Sequence, residues 1–241
     1  KKIKDIKVVG KIFLWGIAAA GGVYLLTDNL STAIIVAGIV CILIFVAHPK
    51  TAPFVGIAIA GFAAIVVGVS IISATMITSE NFRLQRIISW LNPEAYASDQ
   101  SFQTLQGLYA IGSGGFFGKG LGNSVQKMMI PEVQNDMILS VICEELGVCG
   151  AIIIMVLFAM MIYRLAFIAQ NAPDLYGSLI VTGIMAHISL QVILNIAVVT
   201  NTIPNTGITL PFFSYGGTSV LFLLAEMGIA LGVSSKIQIE E

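Results

Sequence analysis

The sequence predicts an all-α protein, a polytopic bundle of six transmembrane helices with a long extracellular loop that contains short interfacial helices. Three observations predict it. Of 241 residues, 57% are hydrophobic and only 10% charged, where a soluble domain carries about 25% charged residues; such a chain cannot cover itself with polar surface in water. Six apolar segments stand out against the roughly 20 residues needed to cross a bilayer: 12–26, 30–47, 52–77, 137–165, 175–200 and 208–233. The basic residues, finally, are distributed unevenly along the chain, as a fixed membrane topology requires. The whole is read as a single transmembrane domain, 1–241.

The first segment is short, and its Gly21–Gly22 pair suggests close packing against a neighbour. Thr27, Asp28 and Asn29 separate it from the second, which predicts a tight hairpin, and 48–51 is a second short turn. An even number of crossings puts both termini on one side. That side receives Lys1, Lys2, Lys4, Lys7, Lys11, Lys50, Arg164 and Lys236; the other receives Arg83, Arg86, Lys119 and Lys127, all within one loop. The positive-inside rule makes the termini cytoplasmic and loop 78–135 external. The lysines at the start lead into further membrane segments, so no cleavable signal peptide is expected. Net charge is −1, which points to no nucleic-acid partner. Cys41, Cys143 and Cys149 are odd in number and lie in apolar runs, which argues against a disulfide framework or a zinc site.

A loop this long is usually functional or disordered, and its composition is not that of disorder. Leu84, Ile87, Ile88 and Leu91 recur at helical spacing beside Arg83, Arg86 and Trp90, which suits a helix lying in the interface. Ser98 and Asp99 offer caps for a second helix with Phe102, Leu105 and Leu108 as its apolar face. The glycine-rich run from Gly112 to Gly122 is expected to be looping or extended. It fails as a phosphate loop, because Ser113 stands where the first glycine should be and Gly120 follows Lys119. Its amides and Lys119 remain able to face an anion.

Asp136 sits where the loop meets the next apolar helix. An acid there serves the helix macrodipole in any case, but Asp136, Ser140 and Glu144 are spaced by four and share one face. Glu144 falls about 12 Å further along at 1.5 Å per residue. Ionisable groups within a span line a cavity or pair inside the bundle. His187, Gln191 and Asn195 form a second polar stripe, either interhelical glue or a cavity wall. The stretch from Pro204 to Thr218 carries two prolines and three glycines, which implies broken backbone covered by protein or water. Glu226 is expected to be buried and paired. An outward-facing polar cavity of this kind serves an enzyme acting on a lipid-borne substrate or a transporter equally well.

Three stretches separate these readings. Gln106-Gly-Leu-Tyr-Ala-Ile-Gly-Ser-Gly-Gly-Phe-Phe-Gly-Lys-Gly-Leu-Gly-Asn-Ser124, Pro131-Glu-Val-Gln-Asn-Asp-Met-Ile138 with Glu144-Glu-Leu-Gly147, and Pro204 to Gly217 closely resemble the signature motifs of the SEDS peptidoglycan glycosyltransferases. Gly120 to Ser124 followed by Gln126-Lys127 leans toward the FtsW/SpoVE branch. The resemblance covers nearly the whole chain and implies about ten helices, of which this chain carries the later ones. It implies inverting polymerisation of lipid II into glycan strands, in division or spore-wall synthesis, alongside a class B penicillin-binding protein in the bacterial plasma membrane. It places the catalytic acid on Asp136. Arg83, Arg86, Lys119, Lys127, Glu144 and Ser214 are the expected substrate-binding residues; a divalent cation (Mg or Mn) is an optional aid to the leaving pyrophosphate, since no dense carboxylate cluster dictates a tight metal site. Two departures stand out. Gln134 and Asn135 replace the family's His-Thr before the aspartate, so Asp136 is the one titratable group at that motif position. In Asp28-Asn-Leu-Ser-Thr32, Asn29 replaces an acid. The competing readings are a lipid II flippase and a non-catalytic membrane scaffold.

Overall fold

The computed structural model describes residues 6–48, 56, 87, 89–96 and 101–237. Among these it is helical without strands: α1 (Ile6–Thr27), α2 (Leu30–Ala47), α3 (Phe102–Gly114), α4 (Ile138–Asn171), α5 (Leu175–Val199) and α6 (Gly217–Ser234), with short 3-10 turns at Pro93–Tyr96 and Gln126–Met128. Five of them, all but α3, are long and apolar enough to cross a membrane. The protein is a multi-pass membrane protein. Apart from residue 56, the expected third span, 52–77, lies outside the described residues, as do Arg83, Arg86, Ser98 and Asp99.

The chain forms two compact units. One comprises 1–49, 153–194 and 208–241. Its α1–α2 hairpin turns on Asp28, whose φ is 50°. The Asn29 side chain accepts from the Thr32 amide at 3.1 Å and caps α2, so the residue that departs from the family's acid does a cap's work. Close packing between α1 and α2 falls at Gly16, where an added Cβ would strike Val40; Gly21 and Gly22 face open space, contrary to the expectation from the glycine pair. Gly38 gives α2 a similar close approach to Leu190 of α5. Glu226 on α6, expected to be buried and paired, is paired but not buried: its carboxylate meets His187 Nδ1 on α5 at 2.9 Å, and both side chains are partly exposed. The expected last span begins late. Ile203 to Gly216 is irregular and α6 starts only at Gly217, because Pro204 and Pro211 lack amide donors and Gly207 and Phe212 take φ of 68° and 64°.

The other unit comprises 50–152 and 195–207. Its helix α3 runs through Gly112 to Gly114, which corrects the looping backbone expected there. The buried face is Thr104, Leu105, Gly107, Ala110 and Gly114; Leu105 is on it as expected, while Phe102 and Leu108 are only half-buried, because small residues let α3 approach the start of α4 closely. Ser101 precedes α3 without a capping bond of its own; its hydroxyl instead donates to Ser89 O at 2.8 Å and anchors the helix start.

Candidate active site

Helix α4 is not continuous. Gly147 sits at φ 70° and ψ −171° within it, and such a break frees backbone groups that must find partners when buried. The glycine loop supplies them. Lys119 N and Gly120 N donate to Glu144 O and Glu145 O, each at 2.9 Å. Val148 N and Cys149 N donate to Gly115 O at 3.0 Å and Phe116 O at 3.1 Å. The two backbones lie so close that a Cβ on Gly118 would strike Glu145 O, and one on Gly147 would strike Gly118 N. Both residues also hold the left-handed φ that glycine tolerates best. The stretch after the break, 148–171, spans about 36 Å and by itself suffices for the ~30 Å hydrocarbon core.

Glu144 is fully buried beside this interlock. Its carboxylate accepts from Lys119 Nζ at 2.6 Å, Ser113 Oγ at 3.2 Å, Ser124 Oγ, Val125 N at 3.3 Å and Gln126 N at 3.2 Å. Lys119 also donates to Ser113 Oγ at 2.9 Å and keeps 34% of its side chain exposed. Lys127 reaches Gly122 O and, at 3.5 Å, Glu145. The two loop lysines therefore each face a carboxylate, and the loop presents less net positive charge than its composition suggests.

Asp136 lies two residues before α4 begins, outside the helix that its spacing with Ser140 and Glu144 implied, yet it is only 8% exposed. Gln103 on α3 donates from Nε2 to Asp136 Oδ1 at 3.0 Å and to Pro131 O at 3.2 Å. Asn205 donates from Nδ2 to Gln103 Oε1 at 3.1 Å, and its nearby amide helps to lower the pKa of the Asp136 carboxyl. Asn195, near the end of α5, donates to the Asp136 backbone carbonyl at 2.8 Å. Burial raises the carboxyl's pKa above the ordinary 3.8; its own backbone amide, Gln103 and Asn205 pull in the opposite direction, and the charge of Glu132 adds to the rise. Gln134 and Asn135, which replace the family's His-Thr, turn their amides to Glu132 at 3.4 and 2.9 Å.

Asp136, Gln103 and Asn205 line a cleft of about 260 Å³, together with Trp90, Asn201 and Thr206. Trp90 Nε1 donates to Asn201 O at 2.9 Å, which fixes the indole against the cleft. An aromatic face, several amides and one acid of raised pKa suit a polyhydroxylated ligand and a proton transfer. Neither described loop lysine lines it. Nor does its donor set fit a dedicated metal cage: among the described residues no three His, Cys, Asp or Glu converge, and Asp136 is the one carboxylate lining the cleft. Ser214 belongs to the other unit, where it is buried and its Oγ accepts from Leu210 N at 2.7 Å. Gln103, Asn205 and Trp90 were not singled out for the site from the sequence. Asn205 lay inside a quoted motif and Gln103 three residues before another, but their convergence depends on contacts 33 and 102 residues apart.

A family model described as a cell cycle protein, FtsW/RodA/SpoVE, matches residues 2–239. The chain belongs to the FtsW/RodA/SpoVE family. It is 43% identical over 207 residues to stage V sporulation protein E of Bacillus subtilis, covering 86% of this chain and 54% of that one. It is 38% identical over 217 residues to the probable peptidoglycan glycosyltransferase FtsW of Coxiella burnetii, covering 88% and 56%. The chain thus spans little more than half the length of these family members. Two solved structures share its fold at 24% identity. One, from a study of the structural coordination of polymerization and crosslinking by a peptidoglycan synthase complex, superposes with a TM-score of 0.68 over 90% of this chain and 59% of its own. The other, the rod shape determining protein RodA of Thermus thermophilus, gives 0.57 over 96% and 57%.

Proposed function

We propose that this chain carries the catalytic base of a peptidoglycan glycosyltransferase, and that the whole protein polymerises lipid II into glycan strands with inversion. The observation that carries the reading is Asp136: a buried carboxyl of raised pKa, held by side-chain amides, lining a polar cleft beside an indole. In this reading the C4 hydroxyl of the acceptor sugar enters the cleft and attacks the anomeric carbon of the lipid-linked donor. The new C–O bond forms as the bond to pyrophosphate breaks. The hydroxyl proton passes to Asp136, and the pyrophosphate leaves with the electron pair of the broken bond. A raised pKa suits a base that must accept this proton near neutral pH.

The leaving pyrophosphate needs positive charge. Arg83, Arg86, Lys119 and Lys127 are proposed to supply it, Lys119 and Lys127 through the faces they leave exposed beside their carboxylates. Glu144 acts in this scheme by holding Lys119, and Ser214 keeps a proposed place in substrate binding. A class B penicillin-binding protein is the proposed partner, and the lysine distribution supports cytoplasmic termini with loop 78–135 outside.

Lipid II polymerisation by the complete protein with its partner, in detergent and with the transpeptidase inactivated, tests the reading. Asp136→Asn preserves shape and removes basicity, so the rate should fall by about 10²–10⁴ while partner binding persists. Near-normal glycan synthesis by Asp136→Asn would overturn it. Working in detergent, where no membrane need be crossed, also separates polymerase from flippase.

A further inference from the structure

We infer that Gln103 is a positioning residue of the site: its amide selects which oxygen of Asp136 receives the proton. This rests on the reading of Asp136 as the base. A carboxylate has two equivalent oxygens until its surroundings distinguish them. Gln103 distinguishes them by donating to Oδ1 at 3.0 Å, so the incoming hydroxyl is assigned to Oδ2.

The orientation of the Gln103 amide is itself determined. An amide can be turned end for end at almost no steric cost, so only its partners decide which end is nitrogen. Here Oε1 accepts from Asn205 Nδ2 at 3.1 Å, while Nε2 donates both to Asp136 and to Pro131 O. Both partners of Nε2 are pure acceptors when Asp136 is ionised, and the partner of Oε1 is a donor. The reverse orientation would set NH₂ against NH₂ and oxygen against two oxygens.

The amide also stands on a rigid base. Gln103 is in the first turn of α3, whose start is tied down by the Ser101–Ser89 bond at 2.8 Å. One turn on, Gly107 faces Met137 and Ser140, where an added Cβ would make ordinary contacts at 3.6 and 3.7 Å. Asn195 fixes the other side of the residue by holding the Asp136 carbonyl at 2.8 Å. Carboxylate and backbone of Asp136 are thus located by two amides from two separate segments, with Asn205 bracing the first from a third. A bidentate or chelating role for Asp136 would need both oxygens free; a base needs only one, correctly aimed.

The test compares Gln103→Ala, Gln103→Asn and Gln103→Glu in the complete protein with lipid II, reading kcat, KM and the pH profile. Carboxyl infrared titration, with Asp136→Asn as the subtraction reference, reads Asp136 directly. In Gln103→Ala, kcat should fall about 10–100-fold with little change in KM, since small misplacements of a catalytic group are costly. In Gln103→Glu two carboxyls share the place of one, so the acid limb and the infrared titration of the pair should both move to higher pH. Gln103→Asn should resemble alanine in rate, because the shorter amide cannot reach. If all three variants keep the wild-type rate and pH profile while Asp136→Asn is inactive, the inference fails alone. If Gln103→Ala loses activity but Gln103→Glu leaves the acid limb and titration in place, the role is merely structural and the inference fails. If Asp136→Asn polymerises normally although the infrared titration moves in Gln103→Glu, the reading of Asp136 as the base has failed beneath it.

Discussion

Asp136 and Glu144 are two acids eight residues apart, both buried and both beside α3, yet the structure treats them in opposite ways. Glu144 is saturated: five donors surround its two oxygens, one of them a lysine ammonium. The Asp136 carboxylate takes one side-chain amide, from Gln103, and no cation, and it borders a cleft. A carboxylate whose lone pairs are all committed holds structure together; one kept short of donors remains able to take a proton. The difference teaches that the number and charge of donors, rather than depth or spacing, separates a structural acid from a chemical one.

The sharpest way to break this comparison is to neutralise each acid in turn. Asp136→Asn should lose about 10²–10⁴ of polymerisation rate and retain its fold. Glu144→Gln should lose far less rate per folded molecule, the part owed to a looser Lys119, and should lose stability as well. The measurement is activity normalised to monodisperse protein on size exclusion. Equal rate losses in the two variants would erase the distinction.

A second test addresses the interlock that Glu144 organises. Lys119→Met leaves Glu144 buried with its charge answered only by neutral donors, which should cost about 1–3 kcal/mol. Glu144→Gln added to Lys119→Met should recover much of that loss, because no charge is then left uncompensated. The readout is thermal unfolding in detergent. Charge reversal at Lys119, the simplest probe of anion binding, is a poor choice for this reason: it would set two carboxylates together in the core of the loop. If Lys119→Met is as stable as wild type, the salt bridge contributes nothing and Lys119 is free for substrate alone.

How much of this was legible in the sequence follows from the range of each interaction. Helix α2 was read to both ends, because a pure apolar run lies between an Asn cap and the His48-Pro49 pair. Asp136 was legible from its place at the end of the loop and from the family motif. The break in α4 was not, since Glu144-Glu-Leu-Gly continues an apolar helix acceptably; only the glycine loop, some thirty residues earlier, explains why the helix stops there. The polar stripe on α5 was read correctly as a face, but its members part company: His187 meets Glu226, whereas Asn195 holds Asp136. Periodicity reports which residues share a face and is silent about what that face meets.

The smallest expected effect tests the cost of leaving Asp136 underprovided. Its pKa in the fold is raised above 3.8, chiefly by burial. The folded protein therefore binds this proton more tightly than the unfolded chain. Below the unfolded pKa both states are protonated and the full contribution of the neutral acid is present. As pH rises from about 3.8 through the folded pKa, that contribution is lost, because the fold must now bury a charge that the unfolded chain exposes to water. At neutral pH Asp136 is a net liability to stability. Asp136→Asn keeps an oxygen for Gln103 to bond and carries no charge, so it should be more stable than wild type at pH 7, with the gap closing toward pH 4. Thermal midpoints of the two proteins across that range decide it. A variant that is less stable at neutral pH, or a gap that does not shrink on acidification, would mean that the amides around Asp136 compensate its charge fully. It would then resemble Glu144, and the contrast between the two acids would have to rest on their access to the cleft alone.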